Sequence, residues 1–435
     1  LSSTIETPAL VNDKSRESWE RAERVMPAGV HNPALYHPPF PPFIERAEGP
    51  YYYDRDGNRR LDMSSAHTSL PMGNNRPELR DAIIAEAQRG TFTTGMSDIV
   101  TEAAEVLIDR VPSVEKVMFT DSGSKATHYA VRLARAFNKK PRFAKPFGGF
   151  HGSWDGVLFG MPWRYGADPT AREPLPGVSP FAAEEVLLLQ YNDFEACETE
   201  IRAHADELSS ILIEPIIGDG YVAPLPGFLE LLRSLCDELG IVLIFDEMVT
   251  LGVGRGGAQE KYGVLPDLTT MGKIIGGGMP IGAIGGNGEL MSLADPRNGA
   301  AVPFGATFGG HPLSLAAGMA QLRLLDDAAF AQLAHVGDSV RDGIAAIAAQ
   351  TGAPISGTGV GHLFNLHWND QPIRTYADHC GCDHDKIRFF DRFLMDRGYV
   401  FSAGMRCAFN VGWSDTDIDT LLGDIRDGVD AIQAQ

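Results

Sequence analysis

The stretch IVLIFDEMVTLGVGRGG, residues 241–257, and its sequel DLTTMGKIIGGGMPIGA, residues 267–283, decide the fold. Residues 241–245 are uninterruptedly apolar, as a strand covered on both faces must be, and they deliver Asp246 and Glu247 at the strand's carboxyl end. An acid is costly to bury alone, so Asp246 predicts a specific cationic partner, with a helix N-cap or a structural ion pair as the alternative. Ligands of open parallel sheets also gather at that edge. In the sequel, Lys273 precedes a run of three glycines that lets the backbone approach a bulky group. An amine partly desolvated there becomes a nucleophile able to form a Schiff base; a surface lysine beside a flexible loop is the plainer reading.

Working outward, VEKVMFT, PRFAKPF, EEVLLLQ and SSILIEPII read as further buried strands, separated by helical patterns such as ATHYAVRLARAF and PGFLELLRSLCDEL. This βα rhythm predicts an α/β protein with a mostly parallel sheet covered on both faces. FTDSGSKATHYAVRLARA, residues 119–136, runs from a strand through a small-residue turn straight into a helix. Ser122, Gly123 and Ser124 therefore either offer N–H groups and hydroxyls to a phosphate or simply cap that helix. The pattern is neither a P-loop nor a dinucleotide fingerprint.

Before this region, SRESWERAERV predicts a helix over 15–25, the prolines of HPPFPPF an extended stretch, and YYYDRDGNRRLDM a β-hairpin about its D-G turn. PELRDAIIAEAQRG and SDIVTEAAEVLIDRVP read as amphipathic helices, the second starting at a Ser97 cap. After about residue 310 come two helices, a strand-rich GVGHLFNLHW and a final helix. The predicted organisation is an N-terminal arm and part of a small domain at 1–70, a large domain at 71–311 and a C-terminal small α+β domain at 312–435.

Across 435 residues, 44% hydrophobic and 22% charged, the proportions are those of a globular protein rather than a disordered or fibrous one. The 37 basic and 57 acidic residues leave a charge of -20, whose field opposes nucleic acid as a partner. Five scattered cysteines do not make a disulfide framework and fit a reducing compartment. With no apolar signal region or membrane-length apolar run, a cytoplasmic protein without a membrane partner is expected.

Taken in chain order, the Ser122–Ser124 turn, Asp246 and Lys273 make the chain resemble the fold-type I pyridoxal 5'-phosphate enzymes, and among them the class III aminotransferases. The resemblance is strongest to the branch of glutamate-1-semialdehyde aminomutases and β-amino-acid (β-phenylalanine) aminotransferases. It implies pyridoxal 5'-phosphate as cofactor, held through a Schiff base by Lys273, which also shuttles protons. By the same likeness Asp246 pairs with the pyridine nitrogen, and Met248 packs on one face of the ring. Phe150 of GGFHGSWDG, residues 148–156, stacks on the other face, with His151 beside it. The family usually has Tyr at that place, so a phenolic hydroxyl is missing. Ser122, Gly123 and Ser124 fall on the phosphate cup, and Thr307 matches a threonine that reaches the phosphate of a neighbouring subunit, which implies a homodimer with shared active sites. Glu214 has a supporting role. Lys125 replaces the family's usual Glu and either pairs with the phosphate or joins the helix surface.

At the substrate end, the arm arginine of the β-amino-acid branch corresponds to Asn32 and that of the aminomutases to Leu35, so a guanidinium clamp for a carboxylate is absent from both places. Arg406 in SAGMRCAFN is the candidate substitute, against a surface ion pair. Tyr36, with Phe40 and Phe43, suggests a hydrophobic substrate lining or packing within the fold. GMPWRYGADPTAREPLPG, residues 160–177, reads as a long loop suited to covering an active-site mouth. His379, Cys380, Cys382 and His384 are zinc-type ligands without a second distant pair, and no metal is expected. The expected activity is transfer of an amino group from a β-amino acid or hydrophobic amine donor to a keto-acid acceptor such as pyruvate or 2-oxoglutarate; a glutamate-1-semialdehyde-like 2,1-aminomutase is the alternative.

Overall fold

The computed structural model describes residues 10–161 and 175–434. Residues 162–174, most of the long loop anticipated above, lie outside them. The chain divides into a larger unit, Pro77–Ala331 with Pro372–Gly381, and a smaller one made from the stretch up to Arg76, Gln332–Gln371 and the stretch from Cys382 onward.

The larger unit is built on a seven-stranded sheet in the order Lys116–Thr120, Gly282–Gly286, Leu268–Gly272, Val242–Asp246, Leu208–Ile213, Arg142–Pro146 and Val186–Leu189. Gly282–Gly286 runs antiparallel to both neighbours, and the remaining pairs are parallel. Every residue of Leu208–Ile213 and Val242–Asp246 is buried, in keeping with the apolar Ile211–Ile213 and Val242–Phe245 within them. The strands Leu268–Gly272 and Gly282–Gly286 were not anticipated: the first reads as a short polar stretch despite its β-branched Thr269 and Thr270, and glycine weakens the signal of the second. Their missing side chains serve close approach: a Cβ on Gly282 would lie 2.3 Å from the Ser122 carbonyl oxygen, and one on Gly285 would lie 2.6 Å from Val114.

Helix Gly123–Asn138 buries Ala126, Ala130, Val131, Leu133 and Ala134, and starts at Ser122, whose side chain accepts from the Lys125 N–H. Helix Phe228–Leu239 buries Leu229, Leu232, Leu235 and Cys236 on one stripe and ends at Gly240 in the left-handed region, where glycine is unstrained. Together with Phe143, Ile211, Ile213, Leu243 and Phe245 these side chains form one core, each large one contributing roughly 1.5–3 kcal/mol on burial.

The smaller unit has two sheets. Ile44–Glu48, Tyr51–Asp54 and Arg59–Asp62 form an antiparallel meander extended by the parallel Tyr399–Val400, and Ile355–Thr358, Leu363–Trp368 and Arg406–Ala408 pair antiparallel. Helices His384–Asp396 and Asp415–Gln433 belong to it, the latter opened by a Ser414/Asp417 capping box. Its core joins Met63 from one chain end with Phe409, Trp413, Leu421 and Ile425 from the other. Among the described residues, no helix is long and apolar enough to cross a membrane.

Candidate active site

The sheet register levels several strand ends in the larger unit. Asp246 lies opposite Thr270, Gly272 opposite Gly282, and Gly282 opposite Thr120. The Ser122–Ser124 turn, Asp246 and Lys273 therefore leave one edge of the sheet. Glu214 and the 148–151 segment follow the parallel strands Leu208–Ile213 and Arg142–Pro146 at that same edge.

Asp246 is 1% exposed. Its Oδ1 accepts from Thr270 Oγ1 at 3.0 Å and from the Met248 N–H at 3.2 Å, and its Oδ2 lies 2.8 Å from His151 Nδ1. Oδ2 retains capacity for a further donor, and the ionic contact is to an imidazole rather than an arginine or lysine. A buried carboxylate fixed in this way, with the equally buried His151 Nε2 left without a partner among the described residues, fits a ligand that brings its own charged N–H. The adjacent Glu247 has a different task. It accepts from the Ala258 and Gln259 N–H groups at 3.0 and 2.9 Å and from Thr250 Oγ1, tying down the start of helix Gly257–Tyr262, while burial pushes its carboxyl up.

Lys273 has a φ of +47°, the left-handed region that costs an ordinary residue about 1–2 kcal/mol. Helix Pro312–Leu324 holds this turn. Gln321 Nε2 donates to the Ile274 carbonyl at 2.7 Å, and Gly318 is so close that a Cβ would lie 1.8 Å from the Ile275 carbonyl oxygen. Met248 is wedged between two glycines: a Cβ on Gly123 or Gly272 would lie 2.8 or 2.6 Å from its Sδ. Phe150 donates its N–H to Glu214 Oε2 at 3.0 Å, Thr127 Oγ1 donates to the His151 carbonyl at 2.6 Å, and the Ser153 N–H donates to Ser124 Oγ at 3.2 Å. The 150–153 segment is thereby laid against the helix start.

Glu214 is buried, which pushes its carboxyl up. Lys145 belongs to none of the motifs above. It is fully buried, donates from Nζ to the Phe159 carbonyl at 2.7 Å, and has its amine pulled down to about 7 by desolvation. Its only signal in PRFAKPF is a charge inside an otherwise apolar run. Lys125 pairs with Asp121 at 2.7 Å on the helix surface. Beside the Ser122 turn opens a cavity of about 560 Å³ lined by Lys125, Met279, Phe308, His311 and Ser314 among others. Thr307 is exposed and adjoins Phe308, which is 53% exposed.

Of the remaining candidates, Asn32, Tyr36, Arg406, Cys382 and His384 belong to the smaller unit, and His379 and Cys380 to the larger. Asn32 caps its own turn, accepting from the Ala34 N–H at 3.0 Å. Tyr36 is exposed, and Phe40 stacks on Trp19 with ring centroids 5.9 Å apart. Arg406 is half-buried, and its guanidinium has no ion pair or hydrogen bond among the described residues. Within the histidine and cysteine cluster, Cys382 Sγ lies 3.7 Å from the Nδ1 of His367, a residue not singled out above, and His367 Nε2 lies 2.6 Å from Thr358 Oγ1.

A family model for class-III aminotransferases matches residues 34–391. Curated relatives 34–38% identical over 88–94% of the chain carry the name glutamate-1-semialdehyde 2,1-aminomutase, including one from Rhodopirellula baltica that is 38% identical over 392 residues, 88% of each chain. Among solved structures, an omega-transaminase from Sphaerobacter thermophilus matches with a TM-score of 0.90 and 33% identity over 98% of both chains. A β-phenylalanine aminotransferase from Variovorax paradoxus matches with a TM-score of 0.89 and 31% identity over 97% of this chain and 95% of the other. The chain belongs to the class-III aminotransferase family of pyridoxal-phosphate-dependent, fold-type I enzymes.

Proposed function

We propose that this enzyme shifts an amino group within a small amino-carbonyl substrate, as a 2,1-aminomutase of the glutamate-1-semialdehyde type. Amino-group chemistry rests above all on one observation: Lys273 and the buried Asp246 follow neighbouring strands at a single sheet edge. The preference for an intramolecular shift over the transfer to a separate keto acid first expected rests on the curated relatives, whose names all specify it.

Bound pyridoxal phosphate supplies a carbonyl carbon for nitrogen exchange and a conjugated ring that absorbs the electron pair left by proton loss. With that group bound, the amine of Lys273 would hold it and would carry the proton moved during exchange. Asp246 keeps the ring nitrogen protonated, with its carboxylate aimed by Thr270 and His151. Met248 and Phe150 present apolar faces to the ring, Glu214 fixes the backbone of Phe150, and the N–H groups of Ser122, Gly123 and Ser124 take the phosphate at the helix start. The phosphate is completed by Thr307 of a second copy, which makes the working unit a homodimer; the exposure of Phe308 beside Thr307 supports this reading. Arg406 takes the substrate's carboxylate, in a smaller unit where Asn32 and Tyr36 contribute polar and aromatic lining.

A second reading, transamination between a β-amino acid or hydrophobic amine and a keto acid, is favoured by the two transaminase structures at 31–33% identity. The two are separated by supplying glutamate 1-semialdehyde alone, or β-phenylalanine with pyruvate or 2-oxoglutarate. Formation of 5-amino-4-oxopentanoate from the first supports the mutase; net transfer in the second alone replaces it with the transaminase. In either case Lys273→Ala should abolish the donor-induced bleaching of visible absorbance and lower the rate by at least ~10³-fold. An unchanged rate would remove Lys273 from the chemistry.

A further inference from the structure

Arg406 ends a turn that the protein holds with unusual effort. Backbones at Ser402 and Arg406 form a bridge, and between them Gly404 and Met405 have φ values of +84° and +53°. Glycine tolerates this; the fully buried Met405 does not without restraint. The restraint comes from Asp391 on helix His384–Asp396. Its Oδ2 accepts from the Gly404 N–H at 2.8 Å and its Oδ1 from the Met405 N–H at 3.0 Å, while Asn365 Nδ2 donates to the Gly404 carbonyl at 3.0 Å from the opposite side. The helix is in turn fixed by Ile387, Phe390 and Leu394 in the core.

Asp391 is 8% exposed and makes no ion pair among the described residues; the nearby Arg388 pairs with Asp385. Burial pushes its carboxyl up to about 7, so the protein retains an acid here against a desolvation cost. The other end of the turn is locked too. Ser402 Oγ lies 3.1 Å from His67 Nδ1, and His67 sits in a run, Ser65 to Thr68, whose four φ values are all positive. That run rests on a second buried acid: Asp62 Oδ1 accepts from the Ser64 and Ser65 N–H groups at 2.8 and 3.0 Å. Two buried carboxylates thus each brace a left-handed segment, and the segments meet at Ser402 and His67. Restraint of this kind concentrates where a side chain must be presented accurately, and the side chain presented is the half-buried guanidinium of Arg406, which makes no ion pair among the described residues.

We propose that Asp391 is a positioning residue for substrate recognition: by clamping the Gly404–Met405 apex it holds Arg406 in the orientation that accepts the substrate's carboxylate. This rests on the reading of Arg406 as the carboxylate residue, and it assigns to an acid remote in role from the chemistry part of the enzyme's selectivity for acids over plain amines.

The test is a double-mutant cycle on the holoenzyme, with calorimetric binding of 3-phenylpropanoate, a carboxylate that has no amino group to react. Arg406→Gln should weaken binding roughly 10- to 100-fold. Asp391→Asn keeps one acceptor and turns the other into a donor facing an N–H, and should weaken binding about 3- to 10-fold on its own, yet add little in the Arg406→Gln background. Asn365→Ala, which loosens the same apex from its other side, gives a second reading if Asp391→Asn fails to fold. With benzylamine as donor the half-saturation of bleaching should be unchanged by Asp391→Asn, a split that general destabilisation would not give. Wild-type affinity in Asp391→Asn, equal losses in both backgrounds, or no carboxylate binding by the wild type would each overturn the proposal. If no donor ever bleaches the holoenzyme, the functional reading falls while the binding cycle still reports on Asp391.

Discussion

Burial changes what an ionisable side chain does, and Lys145 is the clearest case. Its amine is pulled down to about 7, below the ordinary ~10.4 of an unfolded lysine, so between these values the unfolded chain binds more protons than the folded one. Stability therefore carries the full penalty below about pH 7 and rises as pH climbs through that window. Lys145→Met should remove this rise, which we expect to be on the order of 2 kcal/mol between about pH 7 and 9.5 by urea unfolding; identical pH slopes in both proteins would show that the amine does not titrate there. His151 acts on Asp246 in another way, by aiming its carboxylate. His151→Phe leaves Asp246 Oδ2 without that partner, and cofactor retention on dialysis should fall by about 10-fold; retention equal to wild type would deny His151 an orienting role. Asp246 was legible in the sequence because it ends a continuously apolar strand, and Lys273 because a run of glycines follows it. The His151–Asp246 contact, spanning 95 residues, has no local signature, and neither has the acceptor of the Lys145 proton.

At the scale of elements, the parallel strands and the long helices follow from apolar periodicity and caps, as Ser122 and the Ser414 capping box illustrate. The two strands that flank Lys273 do not, because Leu268–Gly272 is short and half polar in composition and Gly282–Gly286 is mostly glycine. Gly318 makes the same point on a helix. Glycine is a poor helix former, yet here it lets helix Pro312–Leu324 touch the turn that carries Lys273. Gly318→Ala adds helix propensity but forces its Cβ into the Ile275 carbonyl. We expect a net loss of about 1–3 kcal/mol in denaturant unfolding together with slower cofactor loading. A gain in stability would mean that the turn can move aside.

For the molecule as a whole, the charge of -20 describes a solvated exterior, and it does not speak to the Ser122–Ser124 helix start proposed above to take the phosphate. Self-repulsion predicts that the melting temperature rises by a few degrees as monovalent salt goes from about 10 to 150 mM; a fall would show that screened ion pairs outweigh the repulsion. The division of the chain into units has a consequence in time. Pro77–Ala331 emerges from the ribosome as one contiguous stretch and lacks only Pro372–Gly381, whereas the apolar Leu61 and Met63 must wait for Phe409, Trp413 and Leu421 before their core exists. Domains are generally made in N-to-C order, and surface left bare meanwhile invites aggregation. Leu61 and Met63 are thus made before the larger unit yet sheltered after it, and a chain cut short before Asp415 would leave them without Leu421.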